Sequence, residues 1–446
     1  MRRVEPENQV LLFKKINSET QERFVVCTPF LDEITRYRSN CPNRGLEEPR
    51  NRNSTKLTDF NDLLSTGENI AVTHSTFLNA TAQTLESIKQ WGYTLMLDEA
   101  LDPISQFNET SLVQNDPKQF MGPQDIKILF DQNLIIVDDS TKKVNWVGNK
   151  CYDSKFDAIE RMAEAGRLYL LQGTLLVCIF PPEMFSSFKQ VYILTYMFES
   201  YIMKPYFEIH NIEYVKQSIT QEDGKYALCP YSDKLDIEFK NKIRPLISLI
   251  DSPKLNFNVN FSKNWFDNRM KDKDVKELKA HIEYVVKNIA KVTANREEIM
   301  WTCPKDYKSK LEGRRYTKAT TITPQCEEHR LLIEKSKSDK KEYESHLSCF
   351  VPSNCKGTNK YRFRKMLAYC TDIYYNPIIS NYFMADNENR RKAGLPEIKL
   401  EGDLFGLSCL IQWVWRSQIR DGKPITLYLP SKHSREIFTK WLNNEL

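Results

Sequence analysis

Two groups of side chains in this sequence have types and spacings suited to chemistry. The first is Leu95-Met96-Leu97-Asp98-Glu99, an apolar run that ends in two acids. A strand of this kind delivers its last carboxylates to the rim of a sheet. There one acid can hold Mg²⁺ while its neighbour orients an attacking water. The same pair would equally serve as caps for a following helix. The second group is Gln412, Arg416 and Arg420, spaced four residues apart ahead of Gly422. On a helix that Gly422 terminates they share one face, with Leu407, Leu410, Ile411 and Val414 supplying an apolar face. Such arginines either complement the negative end of the helix dipole or reach as fingers toward the γ-phosphate of a nucleotide.

The elements that must position these groups read as repeated strand-then-helix units. Phe24-Val25-Val26-Cys27 ends at Thr28-Pro29 and leads into Leu31-Asp32-Glu33-Ile34-Thr35-Arg36. The pattern recurs at Asn69 to Ser75, at Tyr93 to Glu99 and at Val191 to Tyr196. Continuous apolar strands separated by helices predict an α/β fold, with a parallel sheet covered on both faces. Ligands of such sheets sit beyond the carboxyl ends of the strands. Thr28, Thr73, His74 and Thr195 stand at those ends, and His74 reads as a polar contact or a helix cap. From about 102 to 166 the pattern lapses into an insertion, with a hairpin at Leu134-Ile135-Ile136-Val137 and Val144-Asn145-Trp146-Val147. A second lobe is expected from residue 206. It would hold a helix over 271–292 and strands at Ile299 to Thr302, Leu347 to Val351 and Ile425 to Leu429. The run Lys360-Tyr361-Arg362-Phe363-Arg364-Lys365 either tracks a single nucleic-acid strand or forms a solvated helix face.

Composition removes several classes. At 446 residues the chain exceeds one ordinary core, so two lobes are expected. With 41% hydrophobic and 28% charged residues it has the balance of a water-soluble globular protein. No stretch has the ~18 apolar residues of a membrane span, and the N-terminus lacks the apolar segment of a signal peptide, which points to a cytoplasmic protein without membrane association. The 11 cysteines form no C-x-x-C pair, in keeping with reduced thiols. The spacing of Cys303, Cys326, His329 and Cys349 lacks a zinc knuckle. A nuclease metal site on Asp98, Glu99 and Asp102 lacks a matching lysine or further carboxylate. The net charge of +5 leaves any nucleic-acid affinity to local patches.

Taken in order along the chain, these segments resemble tandem RecA-like motors of the superfamily 2 helicase type, in particular ATPases encoded by bacteriophages and prophages. Thr28 to Arg36 resembles motif Ia, and Val72-Thr73-His74-Ser75-Thr76-Phe77 the next strand-end motif. Asp98-Glu99 is similar to motif II, and Leu194-Thr195-Tyr196 with Phe198 to motif III. Asn354-Cys355-Lys356-Gly357-Thr358-Asn359 resembles motif V, and Gln412-Trp413-Val414-Trp415-Arg416 with Arg420 motif VI. The resemblance implies two RecA-like lobes, over 1–205 and 206–446, with ATP and Mg²⁺ as cofactors. Asp98 would hold Mg²⁺ through water, Glu99 would orient the attacking water, and Gln412, Arg416 and Arg420 would meet the γ-phosphate. Thr28, Arg36, Thr73, His74, Thr358 and Asn359 would face DNA or RNA, most simply a single strand, and Thr195 would couple nucleotide state to strand binding. Other replication proteins are implied as partners.

The chain departs from that family in one respect. It contains no G-x-x-x-x-G-K-S/T phosphate loop. Its Gly-Lys pairs are Gly224-Lys225, before Tyr226, and Gly422-Lys423, before Pro424. Gln9 to Asn17 resembles the helix that follows such a loop, with Met1 to Asn8 before it. The expectation is a first lobe without its phosphate-loop strand, with unpaired sheet edges and poor ATP hydrolysis. The chain would be either a truncated motor or a natural member that binds nucleic acid or a partner without turnover.

Overall fold

A computed structural model describes residues 4–18, 21–51, 55–107, 123–139, 141–149, 156–171, 173, 175–222, 225–292, 296–355 and 360–446. The chain forms two compact units. The N-terminal unit is Leu12–Tyr214 with Tyr375–Glu401, and the C-terminal unit is Val215–Tyr374 with Gly402–Leu446 and the stretch ending at Leu11. The change of unit falls after Tyr214, whereas the sequence placed it at 206. The return of Tyr375–Glu401 to the N-terminal unit was not read from the sequence at all.

The strands of the N-terminal unit are β1 Phe24–Thr28, β2 Ile70–Thr73, β3 Thr94–Asp98, β4 Ile104–Gln106, β5 Ile135–Val137, β6 Val144–Trp146, β7 Leu168–Leu171, β8 Leu175–Ile179 and β9 Gln190–Leu194. The main sheet has the order β2-β1-β3-β9, with every pairing parallel. Every residue of β1 and β3 is buried. This is why both read as unbroken apolar runs, since a strand covered on both faces has no solvent side to make polar. Glu47 bridges to Ile70 and covers the β2 border. At the other border β9 pairs directly with β3, and Val191 to Leu194 are only half-buried. On one face Leu12 and Ile16 of the helix Val4–Ser18 pack with Phe24, Val26, Ile34, Tyr37 and Met96.

The excursion between β3 and β9 builds its own layer. The expected hairpin forms as β5 and β6. Beyond it, β4, β8 and β7 make an antiparallel sheet over a core that includes Phe107, Leu129, Ile159 and Leu176. The inserted layer therefore runs on to Ile179, past the expected end at 166. β7 and β8 are apolar runs that turn back on each other through Gly173 (φ 70). Tyr375 Oη donates to the Ser200 carbonyl at 2.7 Å, and the helix Pro377–Lys392 continues on this unit.

In the C-terminal unit the strands are β10 Gln217–Glu222, β11 Lys225–Pro230, β12 Ile247–Ile250, β13 Ile299–Thr302, β14 Met366–Tyr369 and β15 Ile425–Tyr428. The order β12-β15-β14-β13 is again all parallel, while β10 and β11 form a separate hairpin. The helix expected over 271–292 is Asp272–Tyr284 followed by a π-helical turn, Val285–Ile289. Leu347 to Val351 is not a strand: Leu347 ends a helix, and the next residues are a loop tied to Trp301 by bonds at Cys349 and Val351.

Candidate functional site

The rim of the N-terminal sheet collects most of the residues singled out in the first half of the sequence. Asp98 is the last residue of β3 and is 8% exposed. Arg36, on the helix Leu31–Asn40, holds a terminal guanidinium nitrogen 2.5 Å from Glu33 and 3.9 Å from Asp98. Burial, and then the Asp98 charge, push the Cys27 thiol well above its ordinary range, and burial followed by Asp98 does the same to the Tyr37 phenol. Asp98 is therefore a carboxylate set among a guanidinium and two neutral, buried acids. His74 Nε2 lies 3.1 Å from the Asp98 carbonyl, which binds the end of β2 to the end of β3. Thr73 caps the short helix His74–Phe77, accepting from Thr76 N.

Two residues with left-handed backbone lie at this same rim. Glu99, next after Asp98, has φ 70, and Met197, two residues after Thr195, has φ 57. Left-handed backbone at a residue with a side chain is uncommon and gathers at functional sites. Glu99 N donates to Leu194 O at 3.0 Å, so this conformation joins the ends of β3 and β9. The Thr195 hydroxyl is buried and makes no hydrogen bond among the described residues. Thr28 is fully buried and its hydroxyl donates to Phe30 O at 3.0 Å, an arrangement that turns it away from any external phosphate. Sequence reasoning missed Glu33 and Tyr37. The three-residue spacing of Glu33 and Arg36 on a helix was the available signal.

The C-terminal group differs from its expected arrangement. The helix Gly402–Val414 carries Gln412 but stops before Arg416, and Arg420 lies in the 3-10 turn Gln418–Asp421 that Gly422 (φ 70) closes. The three side chains are thus not a stripe on one helix. Ser417 breaks it, donating to Val414 O at 2.7 Å and capping the next turn. Arg416 and Arg420 are 3% and 6% exposed. Thr358 and Asn359 lie outside the described residues.

The basic-aromatic run is neither a strand track nor a solvated face. Arg364 is buried and donates to the carbonyls of Ile299, His346 and Ser348. Arg362 forks onto Asp421 at 2.9 and 2.8 Å, and Lys365 pairs with Glu298 at 2.6 Å. Arg362 and Arg364 each commit three of five N–H donors to internal acceptors, Arg362 to Glu328 as well as Asp421. At the carboxyl end of this sheet Asp372 accepts from Phe261 N and Ser431 Oγ, both at 2.6 Å, and from Ser434 Oγ. It thereby joins the segments that follow β12, β14 and β15. Beside it opens a crevice lined by Asn260, Ser262, Trp265, Arg269 and Tyr374.

Among known proteins, the SPbeta prophage-derived uncharacterized protein YonV of Bacillus subtilis (strain 168) is 30% identical over 438 residues, covering 95% of this chain and 93% of that protein. The chain belongs to the YonV family. The YonV C-terminal Rossmann-like domain matches residues 241–442, a range that contains the parallel sheet β12-β15-β14-β13. The YonV middle domain matches residues 121–178, within the layer inserted between β3 and β9. The solved structure of S. tokodaii Xpd4 aligns with 98% of this YonV-family chain and 92% of its own, at a TM-score of 0.46 and 11% identity, a likeness too loose to carry weight. Among the described residues, no helix of this YonV-family protein is long and apolar enough to cross a membrane.

Proposed function

We propose that this chain is the core of a helicase-type, nucleic-acid-dependent ATPase acting on single-stranded DNA or RNA in phage or mobile-element replication. The observation that carries this reading is the strand-end constellation of the N-terminal unit. Asp98 ends β3 and the strained Glu99 follows it, Thr195 follows β9, and Thr73 ends β2 with His74 next to it. In this reading Asp98 takes Mg²⁺ through water, Glu99 orients the attacking water and Thr195 senses the nucleotide. Mg²⁺ is commonly held by one or two carboxylates together with substrate phosphates. That suits a rim where no cluster of three or more His, Cys, Asp or Glu side chains stands ready for a metal among the described residues. Gln412, Arg416 and Arg420 would serve the γ-phosphate, and Thr358 and Asn359 the strand. Without a phosphate-loop sequence, slow turnover is expected from the 446 residues themselves.

One observation favours a second reading, a strand- or partner-binding protein without turnover. The cation beside Asp98 is Arg36, which already offsets the charge that Mg²⁺ would require. ATP hydrolysis with and without a single-stranded oligonucleotide, on the chain and on Asp98→Asn/Glu99→Gln, separates the two. Stimulated hydrolysis that the double substitution removes supports the ATPase. Salt-dependent strand binding that ignores ATP supports the second reading. A chain that neither binds strands nor hydrolyses ATP, even with a phosphate loop supplied upstream, sinks both.

A further inference from the structure

Arg167 is a buried cation with no ion-pair partner among the described residues. It precedes β7, and its backbone is fixed by Arg167 N to Met162 O at 3.0 Å and by Ile179 N to Arg167 O at 2.8 Å. The residue is 6% exposed. Among the described residues its side chain makes no hydrogen bond or ion pair, and its Nε is buried without a partner. The Phe180 ring lies beside it, 6.0 Å from the guanidinium carbon.

Burial lowers the Arg167 pKa, opposed by Cys178 and Tyr206. Neither neighbour supplies a negative charge at neutral pH. Burial pushes the Cys178 thiol up to about 11, and burial, then Glu183, raise the Tyr206 phenol far above its ordinary value. The Tyr206 hydroxyl is also committed, donating to Phe180 O at 2.6 Å. Glu183 itself is exposed. A buried charge is tolerated when it is paired, and a planar guanidinium pairs best with two oxygens of one oxyanion.

We propose that Arg167 anchors a binding site for a small oxyanion, of the phosphate or carboxylate class, in the layer inserted between β3 and β9. The burial of Arg167 selects a small free ion, because a nucleic-acid backbone carries its phosphates on a bulky chain. The proposal does not depend on ATP turnover at the Asp98 rim.

The test compares thermal unfolding of the full chain and of Arg167→Met in chloride, inorganic phosphate and acetate at matched ionic strength and pH 7.5. Phosphate stabilises many proteins non-specifically, so the difference between the two proteins is the readout. Arg167→Met is expected to be at least as stable as the parent in chloride. Phosphate or acetate at saturating concentration should raise the parent midpoint by roughly 5 °C more than that of the variant. Equal shifts in both proteins, or a variant less stable than the parent in chloride, would overturn the proposal. Equilibrium dialysis of radiolabelled phosphate against the parent covers the case of a variant that does not fold. Saturable binding unaffected by a single-stranded oligonucleotide supports the site, while absent binding, or displacement by the oligonucleotide, overturns it.

Discussion

The Arg36 guanidinium stands between two carboxylates, 2.5 Å from Glu33 and 3.9 Å from Asp98, so the helix after β1 is joined electrostatically to the end of β3. Removing it leaves a largely buried Asp98 facing one cation fewer. Because Arg36 is about one-third exposed, Arg36→Ala is expected to cost roughly 1 kcal/mol in urea unfolding, well below the loss at a fully buried pair. If Arg36 is held inward in this way, the salt slope of oligonucleotide binding stays unchanged. A slope smaller by about 1 would instead assign Arg36 to a phosphate.

Glu99 carries its strain at the position where the proposed chemistry needs a carboxylate. Glycine adopts φ 70 without penalty, so Glu99→Gly should match or exceed the parent in stability, by up to about 1 kcal/mol. Any nucleic-acid-stimulated hydrolysis should fall by roughly 10²-fold or more in the same variant, as at a lost general base. Denaturation and phosphate-release assays on one preparation check both halves.

Two histidines make the C-terminal unit sensitive to acid. Burial, then the charge of Arg364, lowers His329 to about 4, and burial, then Lys360, Arg364 and His329, lowers His346 to about 4. The unfolded chain takes up these protons near pH 6.5 while the folded chain refuses them until about pH 4. Stability is therefore complete above about pH 6.5 and is lost progressively on acidification toward pH 4, by roughly 1–3 kcal/mol per ring. Urea midpoints at pH 7.5 and 5.0 should show the fall, and His329→Phe should reduce it.

Asp372 ties three segments together from a buried position, with Phe261 N, Ser431 Oγ and Ser434 Oγ as its donors. Asp372→Ala leaves Ser431 Oγ without its acceptor, and Phe261 N and Ser434 Oγ with only their longer bonds to Ser431 Oγ and Thr371 O, and is expected to cost roughly 3 kcal/mol. Asp372→Asn, which keeps one acceptor oxygen, should cost less. Equal urea midpoints for the parent and Asp372→Ala would contradict this role.

The local composition of the strands determined much of this protein. β1, β3, β13 and β15 were legible as apolar runs because strands covered on both faces admit nothing else, and the polar ends of β2, β3 and β9 marked Thr73, His74, Asp98, Glu99 and Thr195 as rim residues, whereas β14 was not read from the sequence. The hairpin of β5 and β6 was legible for a related reason, a short turn between two apolar segments. Tertiary structure decided the rest. Gln412, Arg416 and Arg420 fit a helical period, yet Ser417 ends the helix, and a hydroxyl that turns back on its own backbone leaves no periodic trace. Arg362, Arg364 and Lys365 look like a patch for nucleic acid, but their acceptors at Asp421, Glu298, Ile299 and His346 come together only in the fold. The attachment of Tyr375 to Ser200 spans 175 residues, and Arg167 is anomalous only because packing buries it with no ion-pair partner among the described residues. A linear sequence records what each residue can donate or accept. Which donor meets which acceptor, and which meets none, is settled by the packing of segments far apart in the chain.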